Sequence, residues 1–447
     1  MRITPVILAA GQGTRMKSDQ PKVLHPVLGQ PLVWYAINTM KQVTDEVPVL
    51  VIGYGAEAVK QVVGDKAHFV YQEQQLGTGH AVMQTVKMLK GKSDTILVSY
   101  ADMPLLSAET FKQIIDTQSQ RDGPITMLTN IADDPRGFGR VVRETDGSVQ
   151  AIVEEVDATP EQLKINELNT GVYCIQADWL WSALERIPLS SKGEYFLTDL
   201  IGIAVEDGFP VQAVTTTDPV EVIGINTRAH LAEATMQMQQ RINHAWMLDG
   251  VTIVDPRNTY IEVGVTIGSD TIIWPNTYLR GDTIIGQACT IGPNTFIHDT
   301  QVGDHCKVFT SVLEQAVLEG EVEIGPFGRL RPGAHLAQGV QMGNFGEVKN
   351  SYLGPGTKMG HFSYLGDATL GPNVNIGAGT ITCNYDGKNK YPTEIGEKAF
   401  IGSDTMLVAP VKIGEGAHTG AGSVVTKDVP PNMLAVGMPA RKIRKLE

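Results

Sequence analysis

A glycine-rich segment near the start of the chain carries the sharpest chemical motif. It reads Leu8-Ala9-Ala10-Gly11-Gln12-Gly13-Thr14-Arg15-Met16 and is followed by Pro21-Lys22. Two glycines allow backbone amides to approach an anion closely. Arg15 and Lys22 add positive charge, which would stabilise a phosphorus centre carrying excess negative charge. The segment therefore predicts a phosphate- or nucleotide-binding loop.

Single positions of this loop exclude two common phosphate motifs. No Gly-Lys-Ser/Thr closes it, and Met16 stands where a dinucleotide fingerprint needs its third glycine. An isolated Gly-x-Gly would be better interpreted as a plain strand-to-helix turn. The added Thr14, Arg15 and Lys22 favour a functional loop instead.

A second group of reactive side chains lies between residues 329 and 385. Arg331 and Lys349 place cations there, and His361 follows Met359-Gly360. An imidazole can take the proton from an amine that attacks a thioester. A lone surface histidine more often only faces solvent, but the surrounding cluster favours a general base. Glu347 is the carboxylate that could orient the ring.

The first half of the chain alternates strand and helix patterns, which predicts a parallel α/β sheet. Ligands of such sheets bind beyond the carboxyl ends of the strands. The glycine loop and Asp102 both lie at predicted strand ends. The predicted strands are 3–10, 47–53, 68–72, 95–99, 125–129, 139–143, 151–154 and 171–175, and the predicted helices are 32–41, 56–63, 79–90, 197–206 and 228–248.

The second half repeats an aliphatic residue at every sixth position, the pattern of a parallel β-helix prism. The spacing shortens to five residues at Val348→Leu353 and Leu365→Leu370, and it becomes irregular between 302 and 324. The polar segment 381–395 predicts a protruding loop. We expect the irregular coils to form the second chemical site. The unbroken repeat includes Ile261, Ile267, Ile273, Leu279, Ile285, Ile291 and Ile297.

Composition limits the class of protein. The 447 residues exceed one ordinary core, and the net charge of −13 argues against nucleic-acid binding by charge alone. The apolar run at 6–10 is too short for a signal peptide, and no window predicts a membrane span. Few thiols and no C-x-x-C pair favour a reduced, cytoplasmic protein. The cysteines are Cys174, Cys289, Cys306 and Cys383.

The L-x-x-G-x-G-T-x-M-x(4)-P-K string resembles the sugar-phosphate nucleotidyltransferases. Further matches, together with the hexapeptide half, narrow this to the bifunctional N-acetylglucosamine-1-phosphate uridyltransferase/glucosamine-1-phosphate acetyltransferase family, over nearly the whole chain. The matches are Gln72, Leu76-Gly77-Thr78-Gly79-His80, Gly137-Phe138-Gly139, Glu154 and Asn169-Thr170-Gly171.

The resemblance implies a fold and a domain order. An α/β N-terminal Rossmann-like nucleotidyltransferase domain (1–227) is joined by a helix (228–248) to a C-terminal left-handed parallel β-helix of hexapeptide repeats (249–447). It also implies a cytoplasmic homotrimer that binds no nucleic acid and no membrane.

The resemblance further implies two reactions. Acetyl passes from acetyl-CoA to glucosamine-1-phosphate, and uridylyl then passes from UTP to N-acetylglucosamine-1-phosphate with release of pyrophosphate. The product supplies peptidoglycan and lipopolysaccharide synthesis. Mg²⁺ would be the cofactor.

Site residues follow from the same resemblance. Arg15, Lys22 and His361 would be catalytic, and Asp102 and Asn226 would hold the metal. UDP-N-acetylglucosamine would contact Leu8, Ala9, Ala10, Gly11, Lys22, Gln72, Gly77, Thr78, Gly139, Glu154, Asn169 and Asn226. Glucosamine-1-phosphate would contact Arg331, Lys349, Tyr364 and Asn375, and acetyl-CoA would contact Ala378, Asn384, Tyr385, Ser403 and Ala421.

Two positions depart from the family pattern. Ala101 replaces a usual glycine, and its methyl is expected to crowd the first site slightly. Met438 stands near a usual cation, which Arg441, Lys442, Arg444 and Lys445 could replace. Two alternatives remain open: a single-function sugar-phosphate nucleotidyltransferase with a structural hexapeptide tail, and an inactive trimeric scaffold.

Overall fold

The structure is a computed structural model that describes residues 1–445. The chain divides into two compact units, one comprising Met1–Met238 and the other beginning at Gln239. The helix Arg228–Leu248 crosses this division, with the same bounds as the sequence predicts. Over the described residues, no helix has the length and apolarity needed to cross a membrane.

The first unit is built on a twisted nine-stranded sheet. Its strands are β1 Ile3–Ala9, β2 Val49–Ile52, β3 His68–Tyr71, β4 Thr95–Tyr100, β5 Ile125–Ile131, β6 Arg140–Arg143, β7 Val149–Val153, β8 Glu167–Gln176 and β9 Gln212–Thr215. Along the sheet the order is β9-β5-β8-β4-β1-β2-β3, and β6 and β7 extend it beside β8. The central strand β1 is flanked by β4 and β2, and all three run parallel, so their carboxyl ends meet at one edge.

Helices cover both faces of this sheet. The single helix predicted over 79–90 is in fact two short ones, and the buried Thr85 bonds the carbonyl of Val82 between them, at 2.7 Å. Side-chain bonds of this kind compete with helical ones. The helices are α1 Leu32–Met40, α2 Ala56–Val63, α3 Thr78–Met83, α4 Val86–Leu89, α5 Ala108–Gln120, α6 Ala177–Leu184, α7 Asp199–Glu206 and α8 Arg228–Leu248.

The second unit is a three-sided prism of stacked short parallel strands. Its repeated aliphatics point inward and form one continuous buried core, as the six-residue period predicts. Over the described residues its three faces hold twelve, ten and nine strands. Face 1 consists of Thr252–Ile253, Ile272–Ile273, Thr290–Ile291, Lys307–Val308, Glu323–Ile324, Gln341–Met342, Lys358–Met359, Asn375–Ile376, Phe400–Ile401, His418–Thr419, Met433–Gly437 and Ala440–Lys445.

The other two faces follow the same order along the prism. Face 2 consists of Thr259–Ile261, Thr277–Arg280, Phe296–His298, Val312–Glu314, Arg329–Leu330, Gly346–Lys349, Ser363–Gly366, Ile381–Cys383, Met406–Val408 and Val424–Val425. Face 3 consists of Thr266–Ile267, Ile284–Ile285, Gln301–Val302, Val317–Leu318, Ala334–Leu336, Ser351–Leu353, Ala368–Leu370, Thr393–Ile395 and Val411–Ile413.

The five-residue steps are corners of the prism rather than faults in it. Asn350 and Asp367 turn the chain with positive φ at Val348→Leu353 and Leu365→Leu370, as Asp270 and Asn276 do at corners of six-residue steps. The same device continues the coils between 302 and 324, where Thr310 and Gln315 also have positive φ. The register is therefore kept where the sequence appeared to lose it. These shortened corners also occur in coils that contain no predicted site residue.

Two segments leave the prism pattern. The loop predicted over 381–395 is shorter in the structure, where residues 384–392 leave the prism and strands of the prism occupy both ends of the predicted range. An isolated bridge between Tyr385 and Lys390 closes the loop. At the far end, Met433–Gly437 stacks on face 1 and then turns back to pair antiparallel with Ala440–Lys445. The exposed Met438 lies at this turn.

Candidate active sites

The glycine loop follows β1 and fixes the stem of Lys22. Gly13 has φ +65°, and a Cβ at this position would lie 2.7 Å from the Cβ of Lys22. Only glycine fits both the backbone conformation and the close approach. Arg15 is exposed and has no hydrogen bond or ion pair within residues 1–445. The stem of Lys22 is thus held in place, while the side chain of Arg15 is free to contact a ligand.

The Lys22 ammonium lies between the two predicted metal ligands. It is ion-paired directly with the carboxylate of Asp102 and donates to Oδ1 of Asn226 at 3.2 Å. The backbone N–H of Ile225 donates to the carbonyl of Asp102 at 2.9 Å, which draws Asn226 beside the end of β4. Residues far apart in sequence therefore present two oxygen ligands to one point.

The predicted uridine-binding segment is tied to a neighbouring loop. Gln72 is buried and donates from Nε2 to the carbonyl of Gly77 at 2.9 Å. Oγ1 of Thr78 accepts from the N–H of Leu197 at 3.0 Å, and a Cβ at Gly77 would collide with the backbone of Tyr195. The segment is therefore rigid before any ligand binds. Leu8, Ala9 and Ala10 are also buried, at the end of β1.

The predicted sugar-binding residues gather around a pair of carboxyl groups. Glu154 accepts a hydrogen bond from Oγ1 of Thr198 at 3.0 Å, and burial raises the pKa of this carboxyl. Burial and the nearby charge of Glu154 raise the pKa of Asp199 to about 6. Asn169 accepts from the hydroxyl of Tyr173 at 3.0 Å and lies next to Gly139, whose carbonyl accepts its N–H. Thr198 and Asp199 were not predicted, although they begin helix α7.

Asp199→Asn is expected to change how stability depends on pH. Folded Asp199 keeps its proton up to about pH 6, whereas the unfolded carboxyl releases it near 3.8. Wild-type stability therefore falls as pH rises through this window. The variant should lack that slope. Between pH 4 and pH 6 its free energy of unfolding should therefore rise by about 1 kcal/mol relative to that of wild type, after discounting for the partial exposure of the carboxyl. Urea unfolding at a series of pH values would measure it.

Asp207, at the other end of the same helix, provides the matched control. The hydrogen bonds from Arg186 and Trp179 lower its pKa. Its contribution to stability is therefore present at neutral pH and is lost as pH falls. Asp207→Asn should change the slope with the opposite sign, and parallel profiles for both variants would contradict the assignment.

A groove of about 900 Å³ runs across face 1 of the prism. It brings together His361 and Asn375 with three predicted acetyl-CoA contacts, Ala378, Ser403 and Ala421. His361 is exposed, lies at the corner between faces 1 and 2, and has no hydrogen bond within the described residues. The structure therefore joins the predicted base to most of the predicted thioester site.

The predicted role of Glu347 as a partner of His361 is wrong. Its carboxylate instead accepts from Arg331 at 3.0 Å, because the two residues lie on successive coils of face 2. Arg331 is thereby positioned on the same face as Lys349. Close approach of the Lys390 ammonium, with a further contribution from Arg331, lowers the pKa of Lys349. Arg331, Lys349 and Lys390 thus form a cluster of three cations. Lys390 was not predicted from the sequence.

The remaining predicted residues of the second site surround Gly366. A Cβ there would lie 2.3 Å from the hydroxyl of Tyr364 and 2.9 Å from Nδ2 of Asn384. The amide of Asn384 donates to Asp367, and the exposed Tyr385 begins the loop. These residues lie on the face 2 side of His361, with the three cations. The predicted sugar-phosphate contacts other than Asn375 therefore lie on one side of the base. The predicted acetyl-CoA contacts are divided between the two sides, with Ala378, Ser403 and Ala421 in the groove.

The two departures from the family pattern have different settings. Ala101 is fully buried in the apolar core around β1 and β4, so its methyl packs into that core and the expected crowding of the site is wrong. Met438 is 78% exposed at the terminal turn. Arg441, Lys442, Arg444 and Lys445 lie on the returning strand, paired with the strand that contributes Leu434 to the groove.

Three further groove residues were not predicted. The rings of Phe400 and His418 lie on successive coils with their centroids 5.4 Å apart, and Lys358 lies on the same face. The only signal in the sequence was their position just before an inward residue, which is aliphatic after Lys358 and Phe400 but is Thr419 after His418. That position faces outward, but it does not show which outward residues a groove will collect.

Comparison with known proteins agrees with this arrangement. The MobA-like NTP transferase domain matches residues 5–190, and the bacterial transferase hexapeptide (six repeats) matches residues 264–299 and 392–427. The "Bifunctional protein GlmU" of Heliobacterium modesticaldum is 46% identical over 99% of this chain and 97% of its own length. Those of Geobacillus sp. (46%; 98% and 96%) and Syntrophomonas wolfei (44%; 99% and 99%) are similar.

A solved structure titled a putative glucose-1-phosphate thymidylyltransferase, from Bacillus anthracis, aligns with 52% of this chain and 94% of its own at 21% identity. Its TM-score of 0.43 is too low to support an argument. The fold and sites define a nucleotidyltransferase joined to a hexapeptide β-helix. Similarity over nearly the full length makes the family clear: the chain belongs to the bifunctional GlmU family. The predicted family and fold class are confirmed.

Proposed function

We propose that this enzyme transfers acetyl from acetyl-CoA to glucosamine-1-phosphate and then uridylyl from UTP to N-acetylglucosamine-1-phosphate. The observation that carries the proposal is that both halves of the chain match bifunctional relatives and each half holds its own cluster of site residues. The product, UDP-N-acetylglucosamine, would supply peptidoglycan and lipopolysaccharide synthesis.

Acetyl transfer would use the corner at His361. The amine of glucosamine-1-phosphate attacks the thioester carbonyl, His361 takes the proton from that nitrogen, and the CoA sulfur leaves as a thiolate that is then protonated. Arg331, Lys349 and Lys390 would bind the sugar phosphate, and Tyr364 and Asn375 would bind the sugar. Acetyl-CoA would lie along the groove against Ala378, Ser403 and Ala421, and against Asn384 and Tyr385, with its phosphates near the terminal cations.

Uridylyl transfer would take place at the carboxyl end of β1. A phosphate oxygen of N-acetylglucosamine-1-phosphate attacks the α-phosphorus of UTP in line, and pyrophosphate leaves. No protein nucleophile is needed, because the phosphate monoester is already ionised at neutral pH. Arg15 and Lys22 would stabilise the charge on the phosphoryl groups. Uridine would contact residues 8–11 with Gln72, Gly77 and Thr78, and the sugar would contact Gly139, Glu154 and Asn169.

A nucleotidyltransferase of this family suggests a divalent metal, and we propose Mg²⁺. Asp102 and Asn226 supply hard oxygen ligands directed at one point. Two protein ligands leave most positions of an octahedral ion for phosphate and water, which suits Mg²⁺. The bound ion would neutralise charge on the phosphates.

The protein would be a cytoplasmic homotrimer of chains that each have three parts. The domain limits 1–227, 228–248 and 249–447, a cytoplasmic location and a homotrimer all follow from the family pattern. Hexapeptide repeats suggest oligomerisation. The exposed stacked rings of Phe327 and Phe345, 5.0 Å apart on the outside of the prism, support a protein partner.

Product analysis would test the whole proposal. With glucosamine-1-phosphate, acetyl-CoA and UTP together, UDP-N-acetylglucosamine and pyrophosphate should form. Without UTP the products should stop at N-acetylglucosamine-1-phosphate, and without acetyl-CoA no acetylated sugar should appear. An enzyme with a purely structural tail would instead show no binding of acetyl-CoA in calorimetry and would need acetylated sugar as its substrate.

Lys390→Ala should weaken binding of glucosamine-1-phosphate. Removing one of three cations around a phosphate removes a charged hydrogen bond, so KM should rise about tenfold with a smaller change in kcat. Steady-state acetyl transfer at varied sugar phosphate would measure it. Lys388→Ala, two residues earlier in the same exposed loop, is the control and should leave KM unchanged. Equal effects of the two variants would contradict a specific role for Lys390.

A further inference from the structure

Lys22 occupies both oxygen groups that we propose for the metal. Its ammonium pairs with the Asp102 carboxylate and also contacts the Asn226 amide oxygen at 3.2 Å. The side chains of Lys22 and Asp102 are only 13% and 17% exposed, so water screens the pair weakly. Within residues 1–445, the Asp102 carboxylate has no other hydrogen bond or ion pair.

The surrounding fold holds the stem of Lys22 but leaves its ammonium able to move. Gly13 packs against the Cβ and the first carbons of the lysine, and Pro21 before it packs against Gly55. Beyond those carbons the four-carbon stem is flexible. The neighbouring cation Arg228 is engaged elsewhere, with the carbonyl of Met16 and with His25. Lys22 is therefore the one cation that contacts the two oxygens among the described residues.

A divalent ion and this ammonium cannot both contact Asp102 and Asn226 at the same point. The ammonium would have to leave an anionic partner, and it would do so readily only if a second anion were near. The phosphates of the nucleotide would supply that anion, because the stem of Lys22 lies against Gly13 of the proposed phosphate-binding loop.

We infer that Lys22 is an internal counter-ion that competes with the divalent metal for Asp102 and Asn226 and is released onto the nucleotide phosphates. The inference rests on the proposed metal site. It makes metal and nucleotide binding mutually favourable, since each removes the obstacle to the other. The free enzyme should then bind metal weakly and fill the site when nucleotide arrives.

A titration of the full-length chain with Mn²⁺ alone tests the competition. The electron paramagnetic resonance signal of free Mn²⁺ measures how much ion is bound. Lys22→Met keeps the stem that packs on Gly13 and removes the charge. We expect it to bind Mn²⁺ at least tenfold more tightly than wild type. Lys22→Arg keeps a cation and should bind no more tightly than wild type. Lys17→Met, an exposed neighbour in the same loop, is the control and should match wild type.

Adding Asp102→Ala to Lys22→Met separates the possible failures. If the double variant loses the Mn²⁺ that Lys22→Met binds, the ion occupies the proposed site. If Asp102→Ala removes binding but Lys22→Met and wild type bind equally, the metal site stands and the competition is wrong. If no substitution changes binding, the proposed metal ligands themselves are wrong. Thermal melting of each variant would verify folding.

Discussion

His361→Ala is expected to lower acetyl transfer by roughly 10²–10⁴-fold, the usual contribution of a general base. The imidazole lies at the edge of the groove that gathers Ala378, Ser403 and Ala421, and nothing in the described chain engages it. The other imidazole of the groove, His418, packs against the ring of Phe400 instead. Uridylyl transfer should be nearly unchanged, because its residues lie in the other compact unit. Separate assays of the two half-reactions would measure both effects.

His335→Ala is the control for this experiment. His335 is also an outward histidine of the prism, but it lies on face 3 and bonds Glu319 at 2.9 Å. Its loss should leave both activities intact. Unchanged acetyl transfer in His361→Ala would refute the assigned base. A comparable loss in His335→Ala would show that any damage to the prism has this effect.

Asp102→Ala should have the complementary result, with uridylyl transfer reduced roughly a hundredfold or more and acetyl transfer intact. The substitution removes the only carboxylate of the proposed metal site, and metal stabilisation of phosphoryl charge is worth several kcal/mol. It also leaves the Lys22 ammonium without its ion pair. The loss would be measured as the rate of pyrophosphate release from UTP and N-acetylglucosamine-1-phosphate, at several Mg²⁺ concentrations.

Two further variants make this test specific. Asp102→Asn keeps the shape of the side chain and should still lose most uridylyl transfer, which excludes an effect of cavity formation. Asp65→Ala, in an exposed turn of the same unit, should change nothing. Equal loss of both activities in Asp102→Ala would count against two independent sites.

The sequence predicted the repeating parts of this molecule well. The six-residue period located the prism, and the apolar stripe of Leu231, Ala234, Met238, Ile242 and Ala245 located helix α8 with its observed bounds. Both patterns arise from local geometry, in which spacing along the chain decides which side is buried. Helices α5 and α6 were missed, although Ser107 caps the first by accepting from the N–H of Thr110.

What the sequence could not supply was pairing between distant residues. Glu347 contacts Arg331, 16 residues away, because the coil places Glu347 beside Arg329 on face 2 and Arg331 follows two residues later, within reach of the same carboxylate. Five-residue corners change the coil length, so such pairs cannot be counted until the corners are known. For the same reason we expected shortened steps to indicate chemistry. The shortened steps are ordinary corners of the prism in which one residue has positive φ, as at Asp299 and Gln315.

Assembly from coils also constrains how such an enzyme can change in length. Each coil lies one strand spacing, about 4.8 Å, from the next, and contacts only its neighbours. Ile273 and Ile291 are equivalent positions 18 residues apart. Loss of 274–291 would thus remove a whole layer and leave each later residue on its own face. Loss of six or twelve residues would instead move every later side chain onto another face. Deletions before the groove should therefore survive only as whole layers or as single residues at corners, where the five-residue steps keep the register.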